Sequence, residues 1–108
     1  MEIIANTEPP VSFARSQEST RPPLRVALVQ HHWRENAAEL ASVLTGAIGK
    51  AAGAGAKAVF LPELTLSKYP ANVRAGSNPA RNAEDLLNGP TFEFAANAAR
   101  KHGVTVHA

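Results

Sequence analysis

The residues best placed to do chemistry are an acid and its neighbours. Ala58-Val59-Phe60-Leu61 is an apolar run, and Pro62-Glu63 follows it directly. A carboxylate at the mouth of a buried strand can act as a general acid or base. Apolar walls, here Phe60, Leu61, Leu64, Leu66 and Tyr69, disfavour its charged form and raise its pKa toward the working range. The competing role is structural, with Glu63 closing a loop or pairing with Arg74. Lys68 follows in the same loop and offers either an electrophile or, like most lysines, a solvated cation. The chain contains no cysteine. That excludes disulfides, thiolate metal sites and a thiol nucleophile within it.

Other constellations fall away on chemical grounds. His31-His32 are adjacent on an extended stretch and point in different directions, and zinc requires at least three protein ligands, which this chain does not offer at ligand spacing. A metal is therefore not expected. Gly53-Ala54-Gly55 precedes a strand instead of joining a strand to a helix N-terminus, so it is a turn and not a phosphate loop. Ser67, Asp85 and His102 lack a nucleophile-elbow motif and are not taken as a triad.

The elements that must hold Glu63 follow from periodicity. Leu24 to Gln30 is a nearly continuous apolar run, the pattern of a strand buried on both faces. Asn36 with Glu39 has the spacing of a capping box, with Asn in place of Ser or Thr. Leu40, Leu44, Ile48 and Ala51 then mark an amphipathic helix, which Gly53 and Gly55 end. Lys57 to Leu61 is a second strand. Residues 62 to 82 read as loop, and Glu84 to Leu87 as a helical turn. Asn88-Gly89-Pro90 starts a second helix, with Pro90 suited to its first position. Its expected apolar stripe is Phe92, Ala95, Ala96 and Ala99, and Arg100, Lys101 and His102 oppose the dipole in its last turn. Gly103 ends it, and Val104-Thr105-Val106 starts a third strand. The order β-α-β-α-β implies parallel strands with right-handed crossovers, and ligands in such sheets bind beyond the strands' carboxyl ends. Glu63 lies past one such end, Gln30 and His31 past another.

Residues 1–23 differ. They carry Pro9, Pro10, Pro22 and Pro23 without a sustained apolar period, which suggests a flexible arm with the pair Ile3-Ile4 as a possible anchor. Residues 24–108 form the domain proper. Net charge is only +2 and the basic residues are scattered, so no phosphate-binding stripe exists and nucleic acid is not an expected partner. No apolar stretch approaches a membrane span, and the N-terminus shows no apolar leader region. A soluble cytoplasmic protein is the expectation.

Taken together, Leu24-Arg-Val-Ala-Leu-Val-Gln30, Asn36-Ala-Ala-Glu-Leu40 and the block from Ala51 through Phe60-Leu-Pro-Glu63 to Tyr69 resemble the start of the nitrilase superfamily, the carbon–nitrogen hydrolases. Gly89-Pro90 and Ala99 to Val104 fit the next helix and strand. The resemblance covers residues 24 to 108, and the block from Gly55 to Tyr69 is its most specific part. It implies the N-terminal part of an α-β-β-α sandwich that dimerises, with no metal and no organic cofactor. It implies hydrolysis of a small amide, carbamoyl compound or nitrile by a Glu–Lys–Cys triad. Glu63 matches the Glu, the general base toward the thiol, and Tyr69 matches an aromatic position close to the substrate. Lys68 stands where many members carry Gly and is not the triad lysine. The triad lysine and cysteine lie beyond this chain's last residue in the family pattern. The chain alone is therefore expected to be inactive, since the acyl-enzyme requires the nucleophile. The missing second sheet would leave one apolar face uncovered, so marginal stability or self-association as a homo-oligomer is also expected.

Two other functions fit less of the pattern. A non-catalytic βαβ interaction module would use the sheet edge and the proline-rich arm. A nucleotide-binding unit would need a glycine-rich turn after Gln30, which is absent.

Overall fold

The computed structural model describes residues 1–6, 8, 13–14, 20–72, 74, 76, 80 and 83–108. Pro9 and Pro10 of the expected arm, and Pro79 and Asn82 of the expected loop, lie outside the described residues. The order is β1 (Val26–Leu28), α1 (Ala37–Gly53), β2 (Ala58–Phe60), a 3-10 turn (Pro70–Asn72), α2 (Pro90–His102) and β3 (Thr105–His107). The three strands are parallel, in the order β1-β2-β3. This is the expected α/β frame.

Local chemistry sets the helix ends. Asn36 Oδ1 accepts the Glu39 N–H at 3.0 Å, which satisfies one of the unpaired donors of the first turn. The reciprocal half of a capping box is absent, because the Glu39 carboxylate turns to Arg34, with Oε1 3.0 Å from Nε. That contact is close but not aligned as a hydrogen bond. At the far end, Gly55 takes φ +88 while its N–H reaches Ala52 O and the Ala56 N–H reaches Ala51 O. This is the Schellman arrangement, which requires a left-handed residue and so favours glycine. Gly103 closes α2 in the same conformation.

Leu40, Leu44, Ile48 and Val59 are fully buried and each contributes about 1.5–3 kcal/mol on leaving water. They join Ala51, Ala56, Leu61 and Ala98 in one core between the helices and one face of the sheet, with Ala27, Val106 and Phe94 packed at its border.

Four expectations need correction. The first strand is Val26–Leu28, shorter than Leu24–Gln30, and it is not buried on both faces: Val26 is 49% and Leu28 81% exposed. Its apolar run is continuous, but helices cover only one side of the sheet. The third strand is Thr105–His107, one residue later than Val104–Val106. In α2 the residues that reach the core are Ala98 and Phe94, while Phe92 is exposed. The helix carries small apolar residues on several sides, so its periodicity does not single out one face. Finally, Ile4 is 91% exposed and Ile3-Ile4 makes no apolar anchor; the Met1 carbonyl instead accepts a hydrogen bond from Lys50 Nζ at 3.0 Å.

Candidate functional site

The pairing of β1 with β2 brings two loops together beyond their carboxyl ends. The ladder runs past the strands themselves, with Val29 N–H donating to Phe60 O at 2.9 Å and Leu61 N–H to His107 O at 2.8 Å. From there the β1–α1 loop supplies His31, Trp33 and Glu35. The loop after β2 supplies Pro62, Glu63, Leu64, Thr65, Ser67, Lys68 and Tyr69. Together they line an open hollow of ≈ 440 Å³.

The loop around Glu63 is internally braced. Thr65 is a buried polar residue, and its Oγ1 donates to Pro62 O at 2.9 Å, which compensates the desolvated hydroxyl. The Ser67 N–H donates to Leu64 O at 3.1 Å. Leu64 sits at φ 59, a left-handed conformation in a non-glycine residue. Such a residue costs about 1–2 kcal/mol, and strain of this kind collects at functional turns. Here it lies directly after the acid.

The two loops are tied by Lys68, whose Nζ is 2.9 Å from one Glu35 carboxylate oxygen and 3.2 Å from the other. Both side chains are mostly exposed, so the pair contributes about 0–1 kcal/mol and matters for placement more than for stability. Lys68 is thus neither a free loop cation nor aimed at Glu63. A second tie runs to α2. Glu84 Oε2 accepts the Thr91 N–H at 2.9 Å, and its Oε1 lies 3.4 Å from the Ser67 hydroxyl. Glu84 therefore serves as a remote cap for a helix whose own cap, Gly89, has no side chain. Any Cβ at Gly89 would stand 2.4 Å from Asp85 O, so this turn requires glycine. The helical turn expected at 84–87 forms one residue later, with the Gly89 N–H donating to Asp85 O at 2.8 Å, and an Asx turn reinforces it: Asp85 Oδ1 accepts from the N–H groups of Leu87 and Asn88 and from the Asn88 side chain. Those bonds, the Leu87 N–H foremost, hold the Asp85 carboxyl below its ordinary value of 3.8.

Glu63 and Tyr69, the two site residues expected from sequence, share the hollow. Glu63 is exposed, and Tyr69 is 59% exposed. The apolar enclosure expected around the acid is not built by these residues. Arg74 does not pair with it either: among the described residues no hydrogen bond or ion pair engages the Glu63 carboxylate. Ser67, Asp85 and His102 are engaged separately, with Glu84, with the 87–88 turn and against Gly49 respectively, so they form no triad. His31 Nδ1 lies 2.8 Å from the His32 carbonyl, which can only accept, so that nitrogen carries the proton. No group of three or more His, Asp or Glu among the described residues is placed to hold a metal. None of the described helices is long and apolar enough to cross a membrane.

Trp33 and Glu35 are site residues that the sequence reading missed. The usable signal was topological, since residues just past the carboxyl ends of adjacent parallel strands converge. It sets His31 near Glu63, and Trp33 and Glu35 follow in the same loop.

A parallel sheet backed by helices on one side, with an acid just past its middle strand, is an α/β frame. The family model for carbon-nitrogen hydrolase matches residues 25–108, and the chain belongs to that family. Comparison with the curated proteins and with the solved structures returned no significant match.

Proposed function

We propose that the chain contributes the N-terminal part of a carbon–nitrogen hydrolase that cleaves small amides, carbamoyl compounds or nitriles. Residues 24–108 are the partial domain and residues 1–23 an arm. Glu63 is the general base: its carboxylate takes the thiol proton as sulfur attacks the amide or nitrile carbon and passes it to the substrate nitrogen, which leaves directly from an amide and, from a nitrile, after water adds to the thioimidate; water then releases the acid from the thioester. Tyr69 borders the substrate. One observation carries this reading. The family match includes the Phe60-Leu-Pro-Glu63 block, and Pro62 and Glu63 of that block line a hollow beyond the end of β2.

The cysteine-free sequence supplies no thiol, so the chain alone performs no turnover by this route. The catalytic lysine and cysteine come from residues outside it. A cytoplasmic location belongs to the same proposal. The test is the coding DNA downstream of codon 108. A continuation, in frame or shifted, encoding a lysine-bearing strand and a Cys-bearing turn supports the proposal. Unrelated downstream sequence contradicts it.

A second reading is favoured by one observation, the open outer face of the sheet with Val26, Leu28 and Phe60 exposed. On that reading the chain is a non-catalytic βαβ module that binds through this face. Size-exclusion chromatography with and without a full-length relative distinguishes it. A lasting monomer that forms no complex eliminates it.

A further inference from the structure

The hollow in front of Glu63 has walls that proton transfer at Glu63 does not use. Trp33 comes from the loop after β1 and Tyr69 from the loop after β2, and both line the same ≈ 440 Å³ space. Trp33 is 38% exposed and Tyr69 59%. Neither belongs to the core cluster, and among the described residues neither stacks on another ring. Large rings left unstacked around a hollow expose apolar faces that a ligand can cover.

The charges of the hollow narrow the ligand further. Lys68 and Glu35 neutralise each other, and His31 Nδ1 is committed to the His32 carbonyl. With that pair neutral overall, the lining leaves the Glu63 carboxylate uncompensated, which disfavours an anionic ligand. What the hollow offers is aromatic surface, with one carboxylate at Glu63. Its volume lies within the range of small-ligand pockets, about 300–1,000 Å³, with room for a ring beside an amide or nitrile.

We propose that Trp33 and Tyr69 form the binding wall for the non-reacting half of the substrate, and that this half is a flat aromatic group. The substrate class is then an aryl-bearing amide or nitrile rather than a short aliphatic one. This rests on the function proposed above for which end of the substrate faces Glu63. The Lys68–Glu35 pair joins the loop that carries Trp33 to the loop that carries Tyr69.

Trp33 is the chain's only tryptophan, so its fluorescence reports on the hollow. The full chain is titrated with benzamide and with acetamide. Saturation-transfer NMR on the benzamide ring protons gives a second readout that does not need Trp33. The expected result is a saturable response to benzamide and none to acetamide at equal concentration. Tyr69→Ser, read by fluorescence, and Trp33→Leu, read by NMR, each weaken benzamide binding roughly threefold to tenfold. Both positions are exposed loop residues, and circular dichroism confirms that the variants keep their helices. Lys101→Gln, at an exposed position of α2 outside the hollow, leaves benzamide binding within about twofold. Equal responses to the two amides, no saturation, or unchanged benzamide binding in both ring variants overturns the proposal. Loss of the Glu63 role in a complete enzyme, with benzamide binding intact, would defeat the proposed function and leave the aromatic wall standing.

Discussion

The row Ala27–Val59–Val106 is pressed under two helices, while the adjacent row Leu28–Phe60–His107 stands open on the other face of the same sheet. Leu28 and Phe60 are at least as apolar as Ala27 and Val59, so composition does not distinguish the rows. What differs is the cover. Helices α1 and α2 both pack on the first side. The outer row has a single ring contact, Phe60 with His107 at a centroid separation of 5.4 Å. Parallel sheets in α/β proteins usually have both faces covered, and here a strand's apolar pattern alone does not tell the covered face from the exposed one.

The comparison breaks first where its two sides should differ most. Leu44→Ala, at a fully buried position, is expected to cost about 2–5 kcal/mol and to unfold much of so small a domain. Leu28→Ala on the outer face is expected to stay within about 0.5 kcal/mol. Urea denaturation of both variants checks this, and equal losses would erase the distinction between faces.

Next in size is the brace under the site. Thr65→Val removes the buried donor to Pro62 O and is expected to cost about 1–3 kcal/mol. Ser67→Ala, whose hydroxyl contact to Glu84 is long and exposed, is expected to change stability by less than about 0.5 kcal/mol. Thermal melts of the pair show whether the Glu63 loop is held from the core side or from its surface.

The bare face itself is tested by association. The native chain should self-associate with rising concentration, and the double variant Leu28→Lys with Phe60→Lys should move it toward monomer, because charges blunt an exposed sheet. Sedimentation velocity reads the shift. A native chain that stays monomeric and melts in one sharp cooperative step contradicts the account.

The smallest expected effect is at Asp85. Its carboxyl is held below its ordinary value of 3.8 in the fold. Its contribution is therefore complete above that value and is lost as pH falls through the lower, folded one. Asp85→Asn should flatten the acid limb of a stability–pH curve below about pH 4 and leave the rest of the curve unchanged in shape. An unaltered acid limb would show that the 85–88 turn does not support α2.

Much of this was legible in the chain because it is local. The Asn36 cap, the Leu40–Leu44–Ile48 stripe, the turn at Gly55 and the end at Gly103 all depend on residues within a few positions of one another. Glu63 at a strand end was likewise visible from Phe60-Leu-Pro. The cover on each sheet face was not, because it depends on which side the crossovers take and on sequence outside the strand. The packed side of α2 was hidden by small residues on several faces, so Phe94 and Ala98 could not be told from Phe92 and Ala99. Trp33 and Glu35 join Glu63 only through parallel pairing of distant strands, and their own neighbours in sequence give no sign of it.

The central claim is that this chain carries the base of a carbon–nitrogen hydrolase site without the nucleophile. Ammonia release from a panel of small amides and nitriles, measured for the chain and for Glu63→Gln, tests it most directly. The account predicts no release from either protein above the uncatalysed background. Turnover by the native chain that disappears in Glu63→Gln would contradict it.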